Sequence, residues 1–291
     1  MEEWGRLITA MVTPFDENLH VDVKRAVTLG KRLVEEGSTA LVVTGTTGEA
    51  PTLTSEEKTS LYKALKKVVD VPIIAGVGTN DTATTIAHAK AAEAVGVDGV
   101  LIVTPYYNKP PQDALYAHFK TIAEAVTMPI MLYNVPGRTG CNLLPETVEK
   151  LAEIDNIVAL KEASSDIVQL SEVVKNTPED FTIYSGDDVM TLPALSVGAY
   201  GVVSVSTHIV GNEMAKMIKD FQKGNVQEAT AVHLKLLDLF EKLFITANPI
   251  PIKAVLKLLG EDVGGVRQPL IDANEEVVEA SKETLEKLEL L

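Results

Sequence analysis

One cysteine, Cys141, one tryptophan and an aromatic share of 5% are what this chain has least of. A single thiol excludes an intramolecular disulfide framework and fits a reducing cytosol. No histidine lies near it in sequence, so Cys141 reads as structural or incidental. Positive charge is also scarce: 26 Lys and Arg against 41 Asp and Glu leave a net charge of −15. So acidic a surface argues against nucleic acid and anionic membranes, and an anionic ligand needs a local positive site. No apolar run approaches the roughly 18 residues of a membrane span. The first residues, Met1-Glu2-Glu3-Trp4-Gly5, carry neither a basic segment nor a signal-like block, so a cytoplasmic protein is expected. The five histidines (20, 88, 118, 208 and 233) lack ligand spacing, and His88 and His118, in helical patterns, read as surface or interface residues. With no phosphate loop, dinucleotide fingerprint, cysteine cluster or Gly-x-Ser-x-Gly elbow, no metal or cofactor is expected and a serine hydrolase is unsupported.

What is present is ample apolar material, 46% of 291 residues, in a regular order. Short β-rich runs fall at 7–12, 40–43, 71–77, 99–103, 129–133, 157–160, 181–184 and 201–205. Helical patterns lie between them at 23–36, 55–69, 82–95, 112–126, 145–153, 166–175 and 189–197, and another at 211–221 follows the eighth run. Thr54 before Ser55-Glu56-Glu57 suits a capped acidic first turn, Pro145 suits a first helical position, and Gly37, Gly96 and Gly198 stand where left-handed C-caps fall. The strand runs are continuously apolar, as strands covered on both faces are. Eight such βα units predict a (β/α)8 TIM barrel. A doubly wound sheet is the alternative, but Thr13-Pro14-Phe15-Asp16 is not the glycine-rich first turn that announces one. Helices expected at 227–244, 251–259 and 275–290 divide the chain into a barrel over 1–224 and a C-terminal helical subdomain over 225–291.

A barrel carries its chemistry at the C-terminal ends of its strands. There stand Thr44-Gly45-Thr46-Thr47-Gly48-Glu49, Thr104-Pro105-Tyr106-Tyr107-Asn108, Tyr133-Asn134-Val135-Pro136-Gly137-Arg138-Thr139-Gly140, Lys161, Ser185-Gly186-Asp187-Asp188 and Ser204-Val205-Ser206. Lys161 closes the apolar run Ile157-Val158-Ala159-Leu160. It has two readings: a strand-end lysine snorkelling its charge to water, or a desolvated amine whose lowered pKa suits Schiff-base chemistry with a ketone. The convergence of hydroxyls, phenols and Arg138 favours the second. The Gly45–Gly48 turn can present several N–H groups to an anion. Asp187 and Asp188 would repel a phosphate, so a carboxylate ligand is expected. Tyr133, one strand from Lys161, suits proton transfer during carbinolamine formation and dehydration, with Thr46 and Tyr107 extending a hydroxyl relay. Arg138, in a Gly/Pro-rich loop, suits bidentate carboxylate binding.

These segments, with Asn248-Pro249-Ile250-Pro251, resemble the dihydrodipicolinate synthase family of pyruvate-dependent class I aldolases, in order and spacing over nearly the whole chain. The resemblance implies an enzyme that condenses pyruvate with aspartate 4-semialdehyde in lysine biosynthesis. Lys161 would carry the imine, Thr46 and Thr47 would hold the pyruvate carboxylate, and Tyr133 would transfer protons. Thr46 and Tyr107 would complete the relay, Tyr107 from a neighbouring subunit. Arg138 would hold the aldehyde substrate's carboxylate, and Gly186 and Val203 are expected to line the substrate site. A homotetramer, a dimer of dimers, is implied. Lysine-inhibited members bind it at positions matching Ala50, Pro51, Ser55, Lys58, Asn80, Thr84 and Tyr106. Cationic Lys58, and Thr84 in place of a glutamate, lead us to expect weak or absent inhibition here. A sister aldolase acting on sialic acid or a keto-deoxy sugar acid shares Lys161 and Tyr133, and a non-catalytic small-acid binder needs only an unreactive Lys161.

Overall fold

Four to six residues, most of them apolar, are enough for each strand, because every strand is buried along most of its length: Leu7–Ala10 (β1), Ala40–Val43 (β2), Ile73–Gly76 (β3), Gly99–Val103 (β4), Ile130–Asn134 (β5), Ile157–Glu162 (β6), Thr182–Ser185 (β7) and Gly201–Ser204 (β8). In the computed structural model, which describes residues 4–291, they follow one another in sequence order around a closed parallel barrel. The helices are Val23–Glu35 (α1), Ser55–Lys66 (α2), Thr82–Val95 (α3), Gln112–Ala123 (α4), Pro136–Thr139 (α5), Pro145–Leu151 (α6), Ile167–Asn176 (α7), Thr191–Ser196 (α8), Thr207–Gln222 (α9), Val226–Lys242 (α10), Ile250–Leu258 (α11) and Glu275–Lys287 (α12). The expected (β/α)8 barrel with additional C-terminal helices is therefore the fold.

Local chemistry sets the ends. Thr54 and Glu57 form a reciprocal capping box on α2, and Asp22, Asp81, Asp166 and Asn274 cap α1, α3, α7 and α12 with their side chains. Gly37, Gly96 and Gly198 all take positive φ, as their positions after helices require. Two elements differ from expectation. β6 runs two residues past Leu160, so Lys161 lies within the strand and not at its end. The Arg138 segment is a short helix and not a loop, because Pro136 suits a first turn and Gly140, at φ 68°, ends it.

The chain forms two compact units, one of the segment up to Val71 with Ser204–Leu291, the other Pro72–Val203. In the first, β1 pairs with β2, and His208 is buried, donating from Nδ1 to Val205 O (2.8 Å) and accepting Val12 N–H at Nε2 (3.1 Å). In the second, β3 to β8 pair in succession. His118 lies there and is buried, not a surface residue: its Nδ1 meets Thr82 Oγ1 at 2.9 Å, and burial pushes its pKa down to about 4.

Candidate active site

The register between β5 and β6 determines which side chains meet. Ile130 stands opposite Ile157, but Met131 stands opposite Ala159, so Val158 is an extra residue on β6. Without that irregularity Tyr133 would face Leu160; with it Tyr133 faces Lys161 and Asn134 faces Glu162. Bulges often re-aim side chains in this way beside functional sites. Lys161 is 6% exposed, and its Nζ lies 4.4 Å from the centroid of the Tyr133 ring. On its other flank β6 pairs with β7, and Gly186 follows β7. A Cβ at Gly186 would come within 2.9 Å of Lys161 Cε, 3.0 Å of its Cγ and 2.7 Å of Ala163 Cβ. The lysine stem thus occupies the space that any other residue at 186 would fill.

Burial pushes the Lys161 pKa down to about 8; Asp188 and Asp187 pull it up, and the Arg138 guanidinium pushes it down. About a tenth of the amine is then neutral at pH 7, against roughly one part in 2,500 for a free lysine. At subsaturating ketone, the rate of imine formation is expected to rise about tenfold between pH 6 and pH 7 and to level off above about 8, because only the neutral amine attacks. Borohydride-quenched time courses at each pH measure this; a rate still rising about tenfold per unit from pH 8 to 10 would contradict the shifted amine.

Glu162 leaves β6 on the face opposite Lys161, since successive side chains alternate. Its buried carboxylate accepts from Asn134 Nδ2 (3.1 Å to each oxygen), Ser164 N–H (2.8 Å) and Gln169 Nε2 (3.2 Å). Asn142 closes the network by accepting from Asn134 (2.8 Å) and donating to Gln169 Oε1 (2.8 Å). Burial raises the Glu162 pKa and these donors oppose it. The network ties the ends of β5 and β6 to α7, which fixes the strand positions that bear Tyr133 and Lys161. Sequence reasoning did not find it, because a strand-end glutamate looks solvated until its partners are known.

The Gly45–Gly48 turn belongs to the other compact unit. It is bounded by two non-glycine residues in the left-handed region, Thr44 (φ 57°) and Glu49 (φ 56°), each costing about 1–2 kcal/mol. Thr44 is held by a short hydrogen bond between its hydroxyl and the Tyr62 phenol. At Gly48 a Cβ would come within 3.0 Å of Thr44 N and Cα, so only glycine allows so close an approach. Thr13 Oγ1 donates to Gly48 O (2.6 Å), and Asn248 Nδ2 donates to Thr47 Oγ1 (2.8 Å), which leaves the Thr47 hydroxyl proton to be donated elsewhere. Among the described residues the N–H groups of Thr46, Thr47 and Gly48 meet no acceptor, while those of Glu49 and Ala50 close the turn onto Thr46 O and Gly45 O. Three such donors in succession suit an anion. Asn248 entered the sequence reading only as part of a motif; nothing local marks its reach to Thr47.

Of the remaining expected residues, Arg138 is exposed on α5 and Val203 is buried on β8. Tyr107 is 88% exposed at φ 77°. A buried amine beneath a phenol ring can form an imine with a ketone, and the strained turn can hold a carboxylate.

Known proteins match the chain over nearly its whole length. A profile described as the Dihydrodipicolinate synthetase family matches residues 3–288. The chain is 54% identical to 4-hydroxy-tetrahydrodipicolinate synthase of Heliobacterium modesticaldum over 286 residues, 98% of this chain and 95% of that protein. Among solved structures, Bacillus anthracis dihydrodipicolinate synthase superposes with a TM-score of 0.96 at 48% identity, covering 98% of this chain and 99% of that one. A DHDPS from Cyanidioschyzon merolae with lysine bound gives 0.97 at 47% identity, covering 99% of each chain. On matches of this extent, joined to the buried lysine they span, the chain belongs to the dihydrodipicolinate synthetase family.

Proposed function

We propose that this chain condenses pyruvate with L-aspartate 4-semialdehyde to give 4-hydroxy-tetrahydrodipicolinate, in the diaminopimelate route to lysine. The observation that carries this reading is the buried Lys161 amine, with its pKa near 8 and its stem against Gly186. The neutral amine adds to the pyruvate carbonyl carbon, and the carbinolamine loses water to form the imine. Loss of a methyl proton gives an enamine, whose terminal carbon attacks the aldehyde carbon; the alkoxide formed takes up a proton. The substrate's own amine then adds to the imine carbon, expelling Lys161 and closing the ring. Tyr133, Thr46 and Tyr107 carry the protons. Thr46 and Thr47 hold the pyruvate carboxylate, Arg138 holds that of the aldehyde, and Gly186 and Val203 line the site. No external cofactor is needed, since the imine itself is the electron sink.

We assign the chain to the cytosol, in keeping with its single thiol, and to a homotetramer in which the exposed Tyr107 of one subunit enters a neighbour's site. A coupled assay that offers pyruvate with aspartate 4-semialdehyde, and separately N-acetylneuraminate, tests the function; turnover of the sugar acid alone would overturn it.

Arg138→Ala should leave borohydride trapping of pyruvate on Lys161 within a few-fold of the parent and lower kcat/KM for the aldehyde by about a hundredfold, the worth of a lost charge-assisted bidentate contact. Equal loss of both functions would show that Arg138 does not serve the second substrate. Inhibition by lysine is expected to be weak or absent. Lys58 is buried with its pKa pushed down by desolvation, so a second ammonium brought beside it finds no compensating anion in Thr84. Half-inhibition at sub-millimolar lysine would refute this.

A further inference from the structure

Glu49, the last residue of the Gly-Thr-Thr-Gly-Glu segment, ends in a place that its neighbours in sequence do not explain. Its carboxylate is 2% exposed, and Lys253, 4% exposed, lies 2.7 Å from Oε1. Arg267 N–H donates to Oε2 at 2.9 Å. Lys253 Nζ also donates to Gly265 O (2.7 Å) and stands 4.2 Å from the centroid of the buried Phe15 ring, near which the Arg267 guanidinium lies at 4.5 Å. Arg267 is itself fixed by a fork onto both oxygens of Glu57 and by bonds to Leu19 O and Thr52 O. Lys253, through its ammonium, and Arg267, through its backbone N–H, both reach Glu49 from about two hundred residues further along the chain.

A buried ion pair is a poor source of stability, since desolvating two charges offsets most of their attraction, and a matched neutral pair is often as good. What such a pair does well is to fix geometry, and geometry is what this turn needs. Thr44 and Glu49 sit at its two ends in backbone conformations that non-glycine residues avoid, and such conformations persist only where the surroundings over-determine them. At one end the surroundings are Tyr62; at the other they are Lys253 and Arg267. Between the ends lie the open N–H groups of Thr46, Thr47 and Gly48.

We propose that Glu49, Lys253 and Arg267 are positioning residues for the keto-acid carboxylate: they lock the left-handed end of the Gly45–Gly48 turn and thereby fix the donors of Thr46 and Thr47. This rests on the function proposed above. The three residues touch no reacting atom, and their effect is confined to one substrate.

The test is the double variant Glu49→Gln/Lys253→Met, which removes both charges together, keeps similar volume and leaves an acceptor for Arg267 N–H. It should fold with a thermal midpoint near the parent's. The pyruvate concentration giving half-maximal borohydride trapping on Lys161 should rise about tenfold or more, with the fraction trapped at saturation and the KM for aspartate 4-semialdehyde unchanged. Lys253→Arg, which keeps the charge, should lie between double variant and parent, and it decides the matter if the double variant does not fold. An unchanged half-saturation for pyruvate, or equal loss toward both substrates, overturns the proposal. If the parent traps pyruvate and the variants match it, only this inference fails; if the parent traps none, the proposed function fails with it.

Discussion

Lys161→Ala is expected to abolish imine formation and turnover, by at least about a thousandfold, while the barrel still forms. No other group can substitute: an arginine there cannot lose its proton at any working pH, so Lys161→Arg should be equally inactive. The more informative variant is Lys161→Met, which keeps an apolar stem against Gly186 and Tyr133. In the folded chain the amine's pKa is lowered to about 8. The folded state therefore carries a penalty for the charged form that is fully present below pH 8 and fades as pH rises toward the ordinary lysine value of about 10.4. At pH 7 Lys161→Met relieves up to about 3 kcal/mol of it, so the inactive variant should be at least as stable as the parent in denaturant unfolding. A marked loss of stability would show that the amine is well solvated or well paired, and that the nucleophile reading is wrong.

Gly186→Ala is expected to be strongly harmful although it adds one methyl group and touches no substrate-binding charge. That methyl would lie 2.7 Å from Ala163 Cβ and 2.9 Å from Lys161 Cε. Ala163 has no rotamer to yield, so backbone at the ends of β6 and β7 must shift and the lysine stem with it, and a shift of about 1 Å at a reacting atom costs on the order of a hundredfold in rate. The maximal trapping rate at saturating pyruvate should fall by about that factor with the fold intact by circular dichroism. A rate within about threefold of the parent would mean that the stem relaxes freely, and that Gly186 is there for its turn alone.

What the sequence made legible was whatever rests on short-range pattern. The continuous apolar runs, the Thr54 cap and the glycines at 37, 96 and 198 each carry their cause within a few residues, and each falls where expected. Lys161 and Tyr133 could be placed on adjacent strands, but not in register, because the extra residue at Val158 leaves no mark in a run of Ile, Val, Ala and Leu. Arg138 could be placed after β5 but not in a helix, since four residues are too few to show a period. Nothing in the sequence singled out Glu162 or Glu49; their partners, Asn134 and Gln169 for one, Lys253 and Arg267 for the other, are set by tertiary packing. His118 was misjudged for the same reason, its helix turning that position inward toward Thr82.

The proposed chemistry depends on one amine, that of Lys161. Intact protein incubated with pyruvate and borohydride, then digested and mapped by mass spectrometry, interrogates it directly. One reduced pyruvyl group on Lys161 is the predicted result, with none on the other buried lysines, Lys58 and Lys253, of which Lys253 is paired with Glu49. No adduct, or an adduct on a different lysine, would contradict it.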